Sequence, residues 1–72
     1  MKNHIRVLRA QFGWSQGELA SRVGVSRQAI NAVETGKHVP SLTLAFSIAH
    51  AFGRLVEDVF EPDDDAAGAD DP

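Results

Sequence analysis

Residues Gln16–Val33, QGELASRVGVSRQAINAV, decide how this chain folds. Leu19, Ala20 and Val23 precede a lone Gly24, and Val25, Ile30 and Val33 follow it. Leu19 and Val23 are four apart and Ile30 and Val33 three apart, so each pair lines one face of a 3.6-residue helix. The spacing predicts two short helices meeting at a sharp corner, with Gly24 supplying a left-handed residue that a Cβ atom would disfavour. Ala20 falls where the second helix must pass close, and a larger side chain there would push the two apart. An ordinary helical hairpin shows similar spacing, so the corner alone leaves both readings open.

Working outward, a first helix is expected over about Lys2–Phe12, with Ile5, Leu8 and Phe12 as its inward stripe and Gly13 as its end. Ser15 with Glu18 three residues on reads as a capping box, and Trp14 with Leu19 as a hydrophobic staple. Gly17 inside that first turn is a weakness of ~1 kcal/mol relative to alanine. Ser26 caps the next helix, with Val25 and Ile30 as a second staple, and Gly36 closes it after Thr35. Ser41 caps a fourth helix reaching Phe52 and ended by Gly53, whose inward candidates are Leu44, Ala45, Ile48, Ala49 and Phe52. A short fifth helix is expected over Val56–Phe60, although Leu55 stands where a polar cap would.

The 72 residues leave room for one small all-α domain and none for a separate ligand-sensing domain. Without cysteine there is no disulfide, thiolate zinc site or thiol nucleophile. No apolar run approaches the roughly 18 residues of a membrane span, and the first residues lack the apolar stretch of a signal peptide. These features predict a cytoplasmic protein with no membrane partner. His4, His38 and His50 share no metal-ligand spacing, and no serine, histidine and acid grouping suggests catalysis, so neither metal, cofactor nor enzymatic activity is expected. A domain this small without disulfide or metal commonly gains stability by oligomerising.

The net charge of -3 is unevenly spread. Residues 1–60 hold all seven Lys and Arg against four acids, a charge of +3, whereas residues 61–72 hold six acids and no base, a charge of -6. The expected organisation is a basic folded unit over 1–60 and an acidic, disordered tail over 61–72, which has no large apolar residue.

The pattern LRxxxGxSQxxLAxxxGVSRQxIxxxExGxxxPSLxLAxxIAxxFG, with a final Val59-Phe60, resembles the Cro and lambda-repressor-like helix-turn-helix regulators, the Xre family. The resemblance covers about residues 4–60. It implies a compact five-helix domain whose second and third helices form the helix-turn-helix, and a role as a sequence-specific transcriptional regulator on double-stranded DNA. At 100° per residue, Arg27, Gln28 and Asn31 share one outward arc of the third helix while Ile30 and Val33 face inward. The first turn of such a helix meets base edges; arginine suits guanine O6 and N7, and glutamine suits adenine N6 and N7. The family's usual base-contacting positions correspond to Ser26, Arg27, Gln28 and Asn31. The resemblance assigns phosphate contact to Gln16, Thr35 and Lys37, and Ser41 opens a helix N-terminus that suits a phosphate. It also implies a structural ion pair between Arg9 and Glu34.

The reading is a repressor that binds a pseudo-palindromic operator as a homodimer, with half-sites about 34 Å apart and Phe52, Val56, Val59 and Phe60 as the dimer patch. Closure of the monomer core is the competing role for that patch. Two other readings use the tail: a DNA-binding antitoxin whose acidic segment holds a partner protein, and a tail that competes with DNA for the basic face.

Overall fold

The computed structural model describes residues 1–62. In these residues the order is β1 (Lys2–Asn3), α1 (Ile5–Phe12), α2 (Gln16–Val23), α3 (Arg27–Glu34), α4 (Leu42–Ala51), α5 (Val56–Val59) and β2 (Phe60–Glu61). The five-helix, all-α expectation is met, with one addition. The ends of the described chain form an antiparallel two-stranded ladder, Lys2 opposite Glu61 and Asn3 opposite Phe60.

That ladder corrects two helix boundaries. The first helix begins at Ile5 rather than Lys2, because Lys2 and Asn3 are extended against β2. The fifth ends at Val59 rather than Phe60, which turns extended and buries its ring. His4 closes the same edge: its N–H donates to the Val59 carbonyl at 2.8 Å, and its ring pairs with the Glu61 carboxylate. Ordered backbone therefore reaches Glu61, one residue past the boundary expected for the folded unit; of the acidic segment, residues 63–72 lie outside the described residues.

The remaining helix boundaries follow local chemistry. Ser15, Ser26 and Ser41 each accept an N–H three residues on, from Glu18, Ala29 and Leu44, at 3.0–3.1 Å, satisfying donors that a helix start otherwise leaves open. Only half of the Ser15–Glu18 capping box forms, since the Glu18 carboxylate pairs with Arg22 at 3.3 Å. α5 starts without a polar cap because its third residue substitutes for one: the Asp58 carboxylate accepts the Leu55 N–H at 3.3 Å. Gly24 has φ +75° and ends α2, as the sharp corner requires.

Around that corner the core collects Ile5, Leu8, Leu19, Ala20, Ile30, Val33, Ala45, Ile48, Ala49, Phe52, Val59 and Phe60. Phe12, expected on the inward stripe, stays exposed. Its ring caps an aromatic stack instead, 4.8 Å from Trp14 and 5.3 Å from Phe52, with the Arg22 guanidinium 4.1 Å above Trp14 on the outer side.

The residues expected at a dimer patch pack largely into the core. Phe52, Val59 and Phe60 are buried within the single chain, and Val56 is half-buried against the same core. Phe52, Val59 and Phe60 thus take the competing role of closing the monomer core, while Val56 keeps part of its surface outside it.

Candidate nucleic-acid interface

α3 is the element that the rest of the fold presents. Its inward positions Ile30 and Val33 are 0 % and 2 % exposed, and α2 packs across them. Opposite them, Ser26, Arg27, Gln28 and Asn31 are all exposed and fall on one side of the helix start. Ser26 is tied down by its cap to Ala29, and its hydroxyl proton is left to donate elsewhere. Arg27 and Gln28 make no hydrogen bond or ion pair among the described residues. The side chains with the greatest capacity for paired hydrogen bonds are thus the ones left open.

The far end of α3 is built oppositely. The Glu34 side chain is 2 % exposed and is gripped by Arg9, whose Nε reaches Oε2 at 2.8 Å and whose Nη2 reaches Oε1 at 2.9 Å. Arg9 also donates to the Trp14 carbonyl at 2.9 Å, which ties the pair to the turn before α2. This bidentate fork is the strong form of a charge-assisted hydrogen bond. Burial pushes the Glu34 carboxyl up, but the hydrogen bond and charge of Arg9, with smaller help from Gln16 and Arg6, outweigh it and hold its pKa below the ordinary carboxylate value. Hydrogen bonding to Glu34 raises Arg9 above its own ordinary value, against the opposing effect of burial.

Two members of this cluster bear on the surface around it. The Gln16 amide donates to Glu34 Oε1 at 3.4 Å, so this residue, expected at a phosphate, begins α2 with its side chain turned to the end of α3. Arg6, which the sequence reading passed over, lies 3.8 Å from the same oxygen with its side chain 80 % exposed. Its position three residues before Arg9 on one helix was the available signal. One carboxylate facing two guanidinium groups leaves a surplus positive charge at this edge.

Asn3 was also missed. Its Nδ2 donates to the carbonyls of Val33 at 3.0 Å and Glu34 at 3.3 Å, while its Oδ1 accepts the Ile5 N–H at 3.1 Å. One side chain thereby caps the last turn of α3 and opens α1. Its bond to Ile5 is local, an Asn side chain accepting two residues on, but its partners at the end of α3 lie some thirty residues away and nothing local marks them.

Of the other expected phosphate contacts, Thr35 is exposed but donates its hydroxyl to the Asn31 carbonyl at 2.8 Å, so meeting a phosphate requires that hydroxyl to turn. Lys37 is exposed, on a loop whose backbone is fixed by N–H groups of Lys37 and His38 donating to the Ala32 carbonyl. Ser41 is exposed at the start of α4. Among the described residues no cluster of His, Cys, Asp or Glu could hold a metal ion, and no helix is long and apolar enough to cross a membrane.

Comparison with known proteins places this geometry. Residues 5–58 match the family described as Helix-turn-helix. The chain is 53 % identical over 60 residues to an uncharacterized HTH-type transcriptional regulator, YgzD, of Bacillus subtilis, spanning 83 % of this chain and 91 % of that one. A crystal structure of a hypothetical transcription factor, NHTF, from Neisseria superposes with a TM-score of 0.73 at 29 % identity, covering 90 % of this chain and 75 % of that one. A more distant likeness, 35 % over 48 residues, is to the antitoxin HipB of Escherichia coli, spanning 67 % of this chain and 51 % of that protein.

Proposed function

The chain belongs to the Xre-type, Cro-like helix-turn-helix family of DNA-binding transcriptional regulators, and from that premise we propose that it is a cytoplasmic repressor acting as a homodimer on a pseudo-palindromic operator. The observation that supports the reading most is the open arc of Ser26, Arg27, Gln28 and Asn31 on a helix whose opposite face is fully buried. In this reading α3 enters the major groove. Arg27 and Gln28 read base edges, Ser26 and Asn31 add contacts beside them, and Lys37, Thr35, Ser41 and Gln16 meet phosphates. Arg6, exposed and sharing the single Glu34 carboxylate with Arg9, joins the phosphate set. All of these groups lie within residues 1–60, and none falls in the acidic segment 61–72.

Gln28→Ala and Lys37→Ala separate the two kinds of contact. Gln28→Ala is expected to lose discrimination at one base pair, about 1–3 kcal/mol, with little change in affinity for random DNA. Lys37→Ala is expected to weaken all sequences alike and to reduce the slope of log affinity against log salt by about 0.9. Titrations of a selected operator and of random duplex at several salt concentrations measure both; equal effects of the two variants on specific and random DNA would refute the division.

A second reading draws on the likeness to HipB: a DNA-binding antitoxin whose acidic tail holds a partner protein. A toxin-like reading frame beside the gene, and its product binding the full chain but not a chain cut after Pro62, distinguish this reading from the first.

A further inference from the structure

The exposed cations around α3 have little anionic company. Arg27 opens the helix and Lys37 lies in the loop that follows it; both are exposed, and neither makes a hydrogen bond or ion pair among the described residues. Arg6, at the far end of α3, shares with Arg9 a carboxylate that is already buried. Glu18, Asp58 and Glu61 are each engaged elsewhere, with Arg22, the Leu55 N–H and His4. Residues 63–72 hold the reverse composition: Asp63, Asp64, Asp65, Asp70 and Asp71 with no Lys or Arg. The point from which that segment departs lies beside the same helix. Phe60 lines a small cavity with Asn3, Val33, Gly36, His38 and Val39, so β2 runs against the last turn of α3 and the loop that carries Lys37. Lys2 stands opposite Glu61 in the ladder. From the end of α3 back to its start is eight residues, about 12 Å of helix, and ten extended residues span up to about 33 Å.

We propose that, in the chain free of DNA, residues 63–72 occupy the exposed face of α3 and the loop after it, as an intramolecular substitute for DNA phosphates. The proposal rests on the DNA-binding reading above and adds a regulator to the same face. Carboxylate oxygens offer arginine and lysine the chemistry of phosphate oxygens, paired acceptors for a guanidinium fork and a counter-charge for an ammonium. The acids come in two groups, Asp63–Asp65 directly after Pro62 and Asp70–Asp71 beyond the small residues Ala66–Ala69. The first group is placed by the strand end near the loop of Lys37, and the second has the chain length to reach the start of α3. DDDAAGADDP has no large apolar side chain, so it suits a charged face and not a hydrophobic groove. Each exposed ion pair is weak, but the tether holds the acids near the cations at an effective concentration on the order of millimolar. Because the segment must leave before any duplex docks, it lowers affinity for specific and random DNA by the same factor and leaves base preference unchanged. Salt screens the contact and releases the face.

The test compares the full wild-type chain with a full chain carrying Asp63→Asn, Asp64→Asn, Asp65→Asn, Asp70→Asn and Asp71→Asn together. At about 50 mM salt the neutralised chain is expected to bind a selected operator and a random duplex at least about threefold more tightly, by the same factor for both, and the gap is expected to close by about 300 mM. Neutralisation also lessens the general repulsion between acidic chain and DNA, so two further measurements separate contact from net charge. In NMR spectra without DNA, the backbone amides of Arg27, Gln28 and Lys37 and the guanidinium N–H groups of Arg6 and Arg27 should differ between the two chains, and the differences should vanish at high salt. A synthetic peptide DDDAAGADDP, added at millimolar concentration to the neutralised chain, should reproduce those shifts and displace duplex, whereas NNNAAGANNP should do neither. Circular dichroism melts check that both chains fold, and the peptide keeps the test decisive if the wild type and variant differ in stability. Equal DNA affinities of the two chains overturn the proposal and leave the DNA-binding reading standing; absence of DNA binding by both overturns the two together. Tighter binding without spectral differences at α3 and its loop assigns the effect to net charge and overturns the contact. Shifts centred on Arg22 or Arg54 place the segment on another face and overturn the proposal as well.

Discussion

The two ends of α3 are built on opposite plans. At its start, Ser26 satisfies one backbone donor and the neighbouring long polar side chains, Arg27 and Gln28, stay unengaged in solvent. At its end, the buried Glu34 is held by Arg9, approached by Arg6 and Gln16, and followed by carbonyls that Asn3 caps. One polar end is desolvated and fully paired, the other hydrated and free. A helix that must meet base edges needs both: a fixed axis, set where partners are many, and uncommitted donors and acceptors, kept where partners are few.

The sharpest way to break this contrast is to remove one member of the Arg9–Glu34 pair. Arg9→Ala leaves a buried carboxylate without its main partner, and Glu34→Ala leaves a mostly buried guanidinium without its own; each is expected to cost about 3–5 kcal/mol. For a domain of this size that lowers the melting temperature by at least about 10 °C. Replacing both together, Arg9→Met with Glu34→Leu, removes the charges along with their desolvation and should cost less than either single change. Thermal melts decide it, and equal melting temperatures for all three variants would show that the cluster does not hold the helix. By contrast Arg27→Ala and Gln28→Ala, at the open end, should leave the melting temperature where it is.

Acid sharpens the same contrast at a smaller cost. The Glu34 carboxyl titrates below its ordinary value of 4.5 in the folded chain, so the unfolded chain takes up that proton first as pH falls. The stability Glu34 contributes is therefore complete above the unfolded value and is lost progressively as pH drops through it and through the lower folded value. Urea midpoints measured between pH 7 and pH 3 should fall in that window, and Glu34→Gln should flatten this fall even though it starts from a lower midpoint. An identical pH profile in the variant would place the acid sensitivity at other carboxyls.

How legible these two ends were in the sequence differs for a physical reason. Ser26, Val25, Ile30 and Val33 act within a few residues of one another, so caps, staples and helical period reveal the start and the buried face of α3 directly. The Arg9–Glu34 pair spans 25 residues and was reached through family resemblance, not spacing. The reach of Asn3 to the end of α3 and the ladder between Lys2–Asn3 and Phe60–Glu61 left no trace, because a two-residue strand has too little alternation to register and the partners lie far along the chain. The same blindness left Phe52, Val59 and Phe60 open between two roles: an apolar stripe shows that a side chain will be buried, but not whether its own chain or a second one covers it.

The smallest expected effect probes the open end of α3 from α2. Gly17 sits in the first turn of α2 with ordinary helical geometry, and a Cβ added there would come 3.8 Å from Ser15 Oγ and 3.9 Å from Arg27 Cδ. Both are normal van der Waals distances, so alanine fits without displacing either neighbour. Gly17→Ala removes backbone freedom from the unfolded chain and should stabilise the domain by about 0.5–1 kcal/mol, a rise of a few degrees in melting temperature. Because the new methyl only touches the aliphatic stem of Arg27 and leaves its guanidinium free, base preference should be unchanged in the same preparation. A lower melting temperature would mean that the glycine is needed for close approach of α2 and α3. A higher melting temperature with altered base preference would mean that Arg27 needs the space beside it, and that the open end of the helix is shaped by its neighbour more than its exposure indicates.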